Sequence, residues 1–230
     1  MLKRWVNVLS GCNLFEGINL EELESMLGCF NPKLVNYERN ELISIAGEEF
    51  NGLGIVLEGN VAITKENVAG DRVIIDIFGP GQIFGEIAAF SGNKLWPATV
   101  VAHTDCNVIF MASEIILGTC KKQCISHKQL IKNMLKIISR KALLLNKKLQ
   151  YLSMKSIRSK ISSYLLEQYK EKKQETFMLP LKRNEMADFL NIARPSLSRE
   201  MCRMRDEGII DFHRESIKIK DPDALKSMAE

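Results

Sequence analysis

No apolar run in this 230-residue chain is long enough to span a bilayer. Its start, Met1-Leu2-Lys3-Arg4-Trp5, has neither the apolar segment nor the small-residue cleavage site of a secretory signal, so the expected location is the cytoplasm. The six cysteines, Cys12, Cys29, Cys106, Cys120, Cys124 and Cys202, make no disulfide framework in a chain of this length, and reduced thiols are expected. Cys120 and Cys124 stand one helical turn apart. Yet His103, His127 and His213 supply no recognisable ligand pair, and no metal site is expected. A nucleophile elbow, a phosphate loop and a paired metal motif are also missing, and Glu86 is a lone carboxylate with no assigned partner. The chain is not expected to be an enzyme.

What is there is ordinary in bulk, with 46% hydrophobic and 26% charged residues, and large enough for two cores. The net charge of +4 hides an uneven distribution. Residues 1–112 carry 7 Lys+Arg against 14 Asp+Glu, residues 113–152 carry 9 against 1, and residues 153–230 carry 16 against 13. An acidic front and a basic rear suit a protein whose rear approaches a polyanion, because neutralising phosphates supplies most non-specific affinity for DNA.

In residues 181–205, Met186, Phe189 and Leu190 fall at helical spacing, and after Asn191-Ile192-Ala193 a second run puts Leu197, Met201 and Met204 on one face. Ser196, Arg199 and Arg203 recur at i, i+3 and i+7, a stripe the apolar face does not use. Pro195 lies in the first turn, where a missing N–H costs nothing, and Ser196 and Ser198 can bond phosphates near that end. Two apolar runs flanking His213-Arg214-Glu215 read as a hairpin directly after the helix. This is a winged helix-turn-helix pattern, and its cationic second helix fits the major groove. The structural alternative is a helical hairpin with a solvated basic face.

Toward the N-terminus, Asn19 caps a short amphipathic helix with Glu22 three residues on. From about 32 to 111 the period shortens, with β-rich runs at 34–37, 42–45, 55–57, 61–65, 73–78, 99–102 and 107–111. Turns at 46–48, 58–60, 69–71 and 79–81 separate them, which suggests an antiparallel sandwich or roll. Further on, Ile131, Leu135, Ile138, Ala142, Leu145, Leu149 and Leu152 step by fours and threes, a heptad seam fit for dimerisation. Leu130, Met134, Ile137 and Leu144 form a second row, fit to cover the chain's own β-roll. A helix buried all round in one core is the competing reading.

The segments Val56-Leu57-Glu58-Gly59-Asn60-Val61 and Gly79-Pro80-Gly81-Gln82-Ile83-Phe84-Gly85-Glu86-Ile87, followed by the helix beginning at Arg194, resemble the family of the cyclic AMP receptor protein and the fumarate and nitrate reduction regulator. The resemblance covers nearly the whole chain. It implies an α+β architecture: a β-roll effector domain over 1–112, a dimerisation helix over 113–152 and a winged helix-turn-helix over 153–230. The implied partners are a second copy, double-stranded DNA with a pseudo-palindromic operator, and RNA polymerase. It places Arg194, Ser196, Ser198 and Arg199 at DNA-contacting positions, with Arg203 a candidate phosphate contact. Pro195 stands where family members often have Glu, so the base preference tied to that Glu does not transfer.

In members that bind cyclic AMP, an Arg-Ser pair after the Phe-Gly-Glu segment holds the cyclic phosphate. Here Trp96 and Pro97 stand in their place, and a buried phosphate without its cation would be costly. The expected effector is a neutral or aromatic small molecule, contacted by Phe84, Gly85, Glu86, Ile87, Trp96, Pro97, Ala98 and Thr99, with Leu143, Leu144 and Asn146 as candidate helix contacts. No haem, metal or iron–sulfur cluster is indicated, since the cysteines lack the close N-terminal spacing of the cluster-bearing branch. Two alternatives remain beside this reading: a cyclic-nucleotide regulator with a substituted clamp, and an effector-independent DNA-binding protein.

Overall fold

The computed structural model describes residues 2–49, 52–66, 72–92, 95–118 and 125–229. The chain folds as two compact units, Met1–Arg140 and Lys141–Glu230. In the first unit, α1 (Val6–Ser10) and α2 (Leu20–Phe30) precede the strands. The Asn19 side chain caps α2 by accepting the Glu22 amide at 2.9 Å, as its sequence position suggests. Asn31, in the left-handed region at φ 42°, ends that helix.

The strands are β1 (Lys33–Tyr37), β2 (Leu42–Ser44), β3 (Gly52–Glu58), β4 (Val61–Glu66), β5 (Arg72–Phe78) and β6 (Ile83–Phe84), then, after the short helix α3 (Glu86–Phe90), β7 (Thr99–Ala102) and β8 (Cys106–Ala112). Two four-stranded antiparallel sheets result, ordered β1-β8-β3-β6 and β2-β7-β4-β5. The expected roll is there, and each expected run falls on a strand. Two-residue β6 was too short for any alternation to show. The turn expected at 69–71 lies outside the described residues.

Within the roll, Val56, Val61, Phe78, Phe84, Ala88, Trp96, Ala98 and Val100 are among the residues of one buried apolar cluster. Gly54 of β3 makes room for it, because a Cβ at that position would run into the Phe84 ring. A second cluster joins the N-terminal helices to one face of the long helix.

The segment expected to be one helix over 113–152 is not continuous among the described residues. Ser113–Leu117 is a separate helix, α4, and the long helix α5 runs from Ile125 to Ser153. Gly118 follows α4 with extended geometry, so no helical hydrogen-bond ladder continues through it. Along α5, Leu130, Met134 and Ile137 are 0%, 4% and 8% exposed and belong to the cluster with the N-terminal helices, whereas Leu144, expected in the same row, is exposed because it lies beyond the first unit. Leu135, Leu145, Leu149 and Leu152 of the heptad row are exposed, as is Ala142, while Ile131 and Ile138 are half-buried. A buried polar side chain fixes which way the helix faces. The Asn133 amide donates to Leu14 and Glu16 carbonyls at 2.9 and 2.8 Å and accepts from Gln129 at 3.0 Å. Lys136 pairs with Glu16 at 2.8 Å beside it.

The second unit contains the end of α5, then α6 (Ile157–Lys172), β9 (Thr176–Met178), α7 (Arg183–Leu190), α8 (Arg194–Asp206), β10 (Ile210–His213), β11 (Ser216–Ile219) and α9 (Pro222–Ser227). Its sheet runs β10-β11-β9, so the expected hairpin gains a third strand. Replacing Gly54 with Ala should cost about 1–3 kcal/mol, the usual penalty for overfilling a packed core. Urea unfolding followed by tryptophan fluorescence checks this, since Trp5 and Trp96 both lie in the first unit; an unchanged midpoint would mean that Phe84 is free to move aside.

Candidate DNA-reading surface and sensing core

The helix-turn-helix corner is made by Asn191, in the left-handed region at φ 51°, whose amide bonds back to Asp188 at 3.2 Å. Ile192 is buried and Ala193 accepts the Ser196 and Leu197 amides at 2.9 and 3.0 Å. Pro195 therefore sits in the first turn of α8, where it removes no helical bond. Leu197, Met201 and Met204 are fully buried against α6 and α7, which leaves the opposite face outward.

On that face Arg199 donates to the Ser196 hydroxyl at 3.3 Å, and Arg203, one turn on, pairs with Glu200 at 3.5 Å. Arg194, Arg199 and Arg203 are exposed, and Ser196 and Ser198 are half-buried. Ser196, Arg199 and Arg203 form one stripe, while Arg194 and Ser198, four residues apart, share a neighbouring flank.

One flank of α8 is held by a residue that local sequence patterns did not single out. Arg158 of α6 forks onto Glu207 with two bonds of 2.7 Å and reaches Glu200 at 2.5 Å. Its partners lie 42 and 49 residues away, so no periodicity could reveal the pairing. Arg158 holds the Glu207 carboxyl below its ordinary pKa by hydrogen bonding. Arg183, at the start of α7, was likewise not foreseen. Its guanidinium touches the Met201 sulfur, donates to the Arg214 carbonyl at 3.3 Å and lies 5.0 Å from the centre of the Phe212 ring. One cation thus contacts α8, the hairpin strand β10 and the hairpin turn, and burial lowers its pKa. Arg214 occupies that two-residue turn at φ 55°, a conformation unusual for a side chain other than Gly or Asn.

The residues expected to line an effector site divide by burial. Phe84, Gly85, Glu86, Trp96 and Ala98 are buried, Thr99 is half-buried, and Ile87 and Pro97 are exposed. Phe84 packs against Phe78 and Phe110, with ring centres 6.3 and 6.1 Å apart. The Trp96 backbone is clipped to the 46–49 turn, donating to Glu48 at 3.0 Å and accepting from Gly47 at 2.8 Å. The Thr99 hydroxyl accepts the Ala46 amide at 3.3 Å. Trp96 and Phe84 thus help fill the inside of the roll. Leu143, Leu144 and Asn146 belong to the other unit and are exposed on α5. No group of three or more His, Cys, Asp or Glu side chains suited to a metal occurs among the described residues. Cys12 and Cys106 are buried, with thiols raised to about 11 chiefly by burial; Cys120 and Cys124 lie outside the described residues.

A β-roll followed by a long helix and a winged helix-turn-helix defines a two-part transcription regulator that binds DNA through its C-terminal unit. Residues 34–123 match the cyclic nucleotide-binding domain and residues 159–228 the Crp-like helix-turn-helix domain. The chain belongs to the Crp/Fnr family, a family of transcription regulators rather than enzymes. The cyclic AMP receptor protein of Thermus thermophilus is 22% identical over 222 residues, covering 96% of this chain and 98% of the relative. The global nitrogen regulator of Nostoc sp. is 22% identical over 206 residues, covering 86% and 90%. Among solved structures, the Thermus thermophilus catabolite activator protein aligns with a TM-score of 0.54 at 20% identity over 94% of this chain and 98% of that one. OCPA-complexed CprK aligns with a TM-score of 0.60 at 14% identity over 90% and 93%. No helix among the described residues is long and apolar enough to cross a membrane.

Since Glu207 has a lowered folded pKa, its contribution to stability is present above the ordinary carboxylate range and is lost as pH falls through the lowered value. Arg158→Ala should therefore destabilise the second unit near neutral pH, and the gap to wild type should narrow as pH falls through and below the ordinary carboxylate range. Urea unfolding across that range checks it; a gap independent of pH would assign the loss to packing alone.

Proposed function

We propose that the protein acts as a homodimer that pairs through α5, reads a pseudo-palindromic operator with two copies of α8, and adjusts its DNA affinity through an effector other than cyclic AMP. The observation that carries this reading is the division of α5 into two apolar rows. Leu130, Met134 and Ile137 are buried in the chain's own core, whereas Leu135, Leu145, Leu149 and Leu152 remain exposed at 50% or more. A row of leucines at heptad spacing with nothing over it suits a second identical helix.

Two-fold pairing of α5 presents two recognition helices, which calls for two related half-sites one or more DNA turns apart. Arg199 is the candidate base contact, because its guanidinium stands outward beside Ser196 near the start of α8. Arg203 suits a phosphate. RNA polymerase is the implied further partner of a regulator of this family.

The effector reading rests on Trp96 and Pro97. The relative from Thermus thermophilus is named for cyclic AMP, but in this chain a buried indole and an exposed Pro97 stand where the phosphate-binding pair is expected. Loss of the cation disfavours an anionic ring, and the surrounding Phe78, Phe84 and Phe110 favour a neutral or aromatic molecule. An effector changes DNA affinity only through its different affinities for two arrangements of the dimer, so a hundredfold change requires a coupling of about 3 kcal/mol.

Replacing Leu145 and Leu149 together with Glu should give monomers by sedimentation, with specific operator binding lost. A wild-type protein that sediments as a monomer on operator DNA would overturn the pairing. Isothermal titration of the wild type with cyclic AMP and cyclic GMP should give no heat of binding at micromolar concentrations; micromolar affinity for either would mean that other residues hold the phosphate.

A further inference from the structure

The last turns of α5 are exposed from Ala142 to Gln150, and Leu152 and Ser153 are exposed again beyond them. Between these stands Tyr151, 1% exposed, the most deeply buried side chain of that stretch. Its ring meets Phe189 of α7 edge-on at 5.5 Å and Tyr164 of α6 at 6.4 Å, and Tyr164 and Phe189 lie 5.9 Å apart. Three helices thus each give one ring to a single cluster. Phe189 belongs to the helix whose Met186, Ala187 and Leu190 share a core with Leu197, Met201 and Met204 of α8. A continuous packed path therefore runs from α5 to the DNA-reading helix inside one compact unit.

Two independent observations point the same way. The second compact unit begins at Lys141, within α5, and so includes the helix's last thirteen residues together with the helix-turn-helix. One turn before Tyr151, Lys147 pairs with Glu167 of α6 at 2.8 Å. The break in backbone helix at 154–156 is thus bridged by rings and, one turn earlier on the same face of α5, by an ion pair.

We infer that Tyr151 is a positioning residue for DNA reading: its ring joins the last turns of α5 to α7, so that the part of the helix carrying Leu145, Leu149 and Leu152 moves with α8 as one body. The inference rests on the proposed pairing through α5. Its consequence is that, in the arrangement that reads DNA, two paired helices carry their recognition helices in a fixed relation, with 154–156 bridged rather than acting as a compliant joint. A compliant joint would leave each half-site engaged almost independently, because a loose tether lowers the effective concentration of the second reading helix at its half-site.

The test uses the full chain and a palindromic duplex selected by the wild type from random sequence, alongside a duplex with one half-site. Tyr151→Leu keeps an apolar filling but loses the ring contacts. It should remain dimeric and bind the single half-site as the wild type does, while its affinity for the palindrome falls by about tenfold or more as the second engagement loses effective concentration. Tyr151→Phe, which retains the ring, should restore the palindrome preference. An unchanged palindrome affinity in Tyr151→Leu would overturn the inference, as would a loss that Phe fails to restore.

Hydrogen exchange of the wild type supplies a readout that needs no variant. Amides of 142–153 should open together with those of α7, at a common rate. Exchange of the helix end independently of α7 would refute the coupling even if every variant misfolded. A wild type that shows no preference for the palindrome over the half-site would defeat the dimer reading instead, and would leave the exchange result standing.

Discussion

An apolar stripe on a helix must be covered, and α5 carries two. Burying a leucine side chain is worth about 1.5–3 kcal/mol, so exposing Leu135, Leu145, Leu149 and Leu152 together is a considerable cost for an isolated chain. The helix cannot rotate to hide them without extracting Leu130, Met134 and Ile137 from the first core and breaking the bonds that Asn133 makes to Leu14 and Glu16. Asn133 is the more stringent of these restraints, since a buried amide that loses its partners bears the full desolvation penalty. The part of the helix inside the first unit is therefore held in one orientation, with Leu135 facing outward.

The β-roll follows a comparable logic of filling. Gly54 lacks a side chain where the Phe84 ring lies, and Trp96 enters the same cluster from the turn between α3 and β7. An Arg in place of Trp96 would put a cation among Phe78, Phe84 and Val100, where only a bound anion could offset its desolvation. The residues around position 96 are thus apolar as a group. Recognition of DNA depends on a different balance. Arg158 ties one flank of α8 through Glu200 and Glu207, and Arg199 and Arg203 beside that flank are exposed.

Much of this was legible from residues alone because it rests on local periodicity. The seven β-rich runs, the cap at Asn19, the buried triplet Leu197, Met201 and Met204, and most of the two rows on α5 follow from spacing, though Leu144 is exposed and Ile131 and Ile138 are half-buried. The start of the long helix was misjudged, because 113–117 has helical composition but Gly118 takes an extended conformation after it. Strand β9 escaped notice since three residues, Thr176–Met178, show no alternation by themselves and owe their pairing to β11, some forty residues on. The Arg158 fork, the Arg183 contacts and the ring cluster around Tyr151 are all long-range, and none has a signature in neighbouring sequence. The residues expected to meet an effector were named from resemblance, and packing separates the buried Phe84 and Trp96 from the exposed Ile87 and Pro97.

The proposed dimer depends most on the exposed row of α5 meeting the same row of a second copy. Cysteine cross-linking reads that contact most directly, with Leu149→Cys on the row and Lys148→Cys beside it, each in the full chain under mild oxidation and with the wild type as background. Two-fold pairing brings Leu149 against its equivalent, so the Leu149→Cys protein should form an intermolecular disulfide rapidly, and Lys148→Cys should stay near the wild-type level. Equal, slow cross-linking at both positions would contradict pairing through this face.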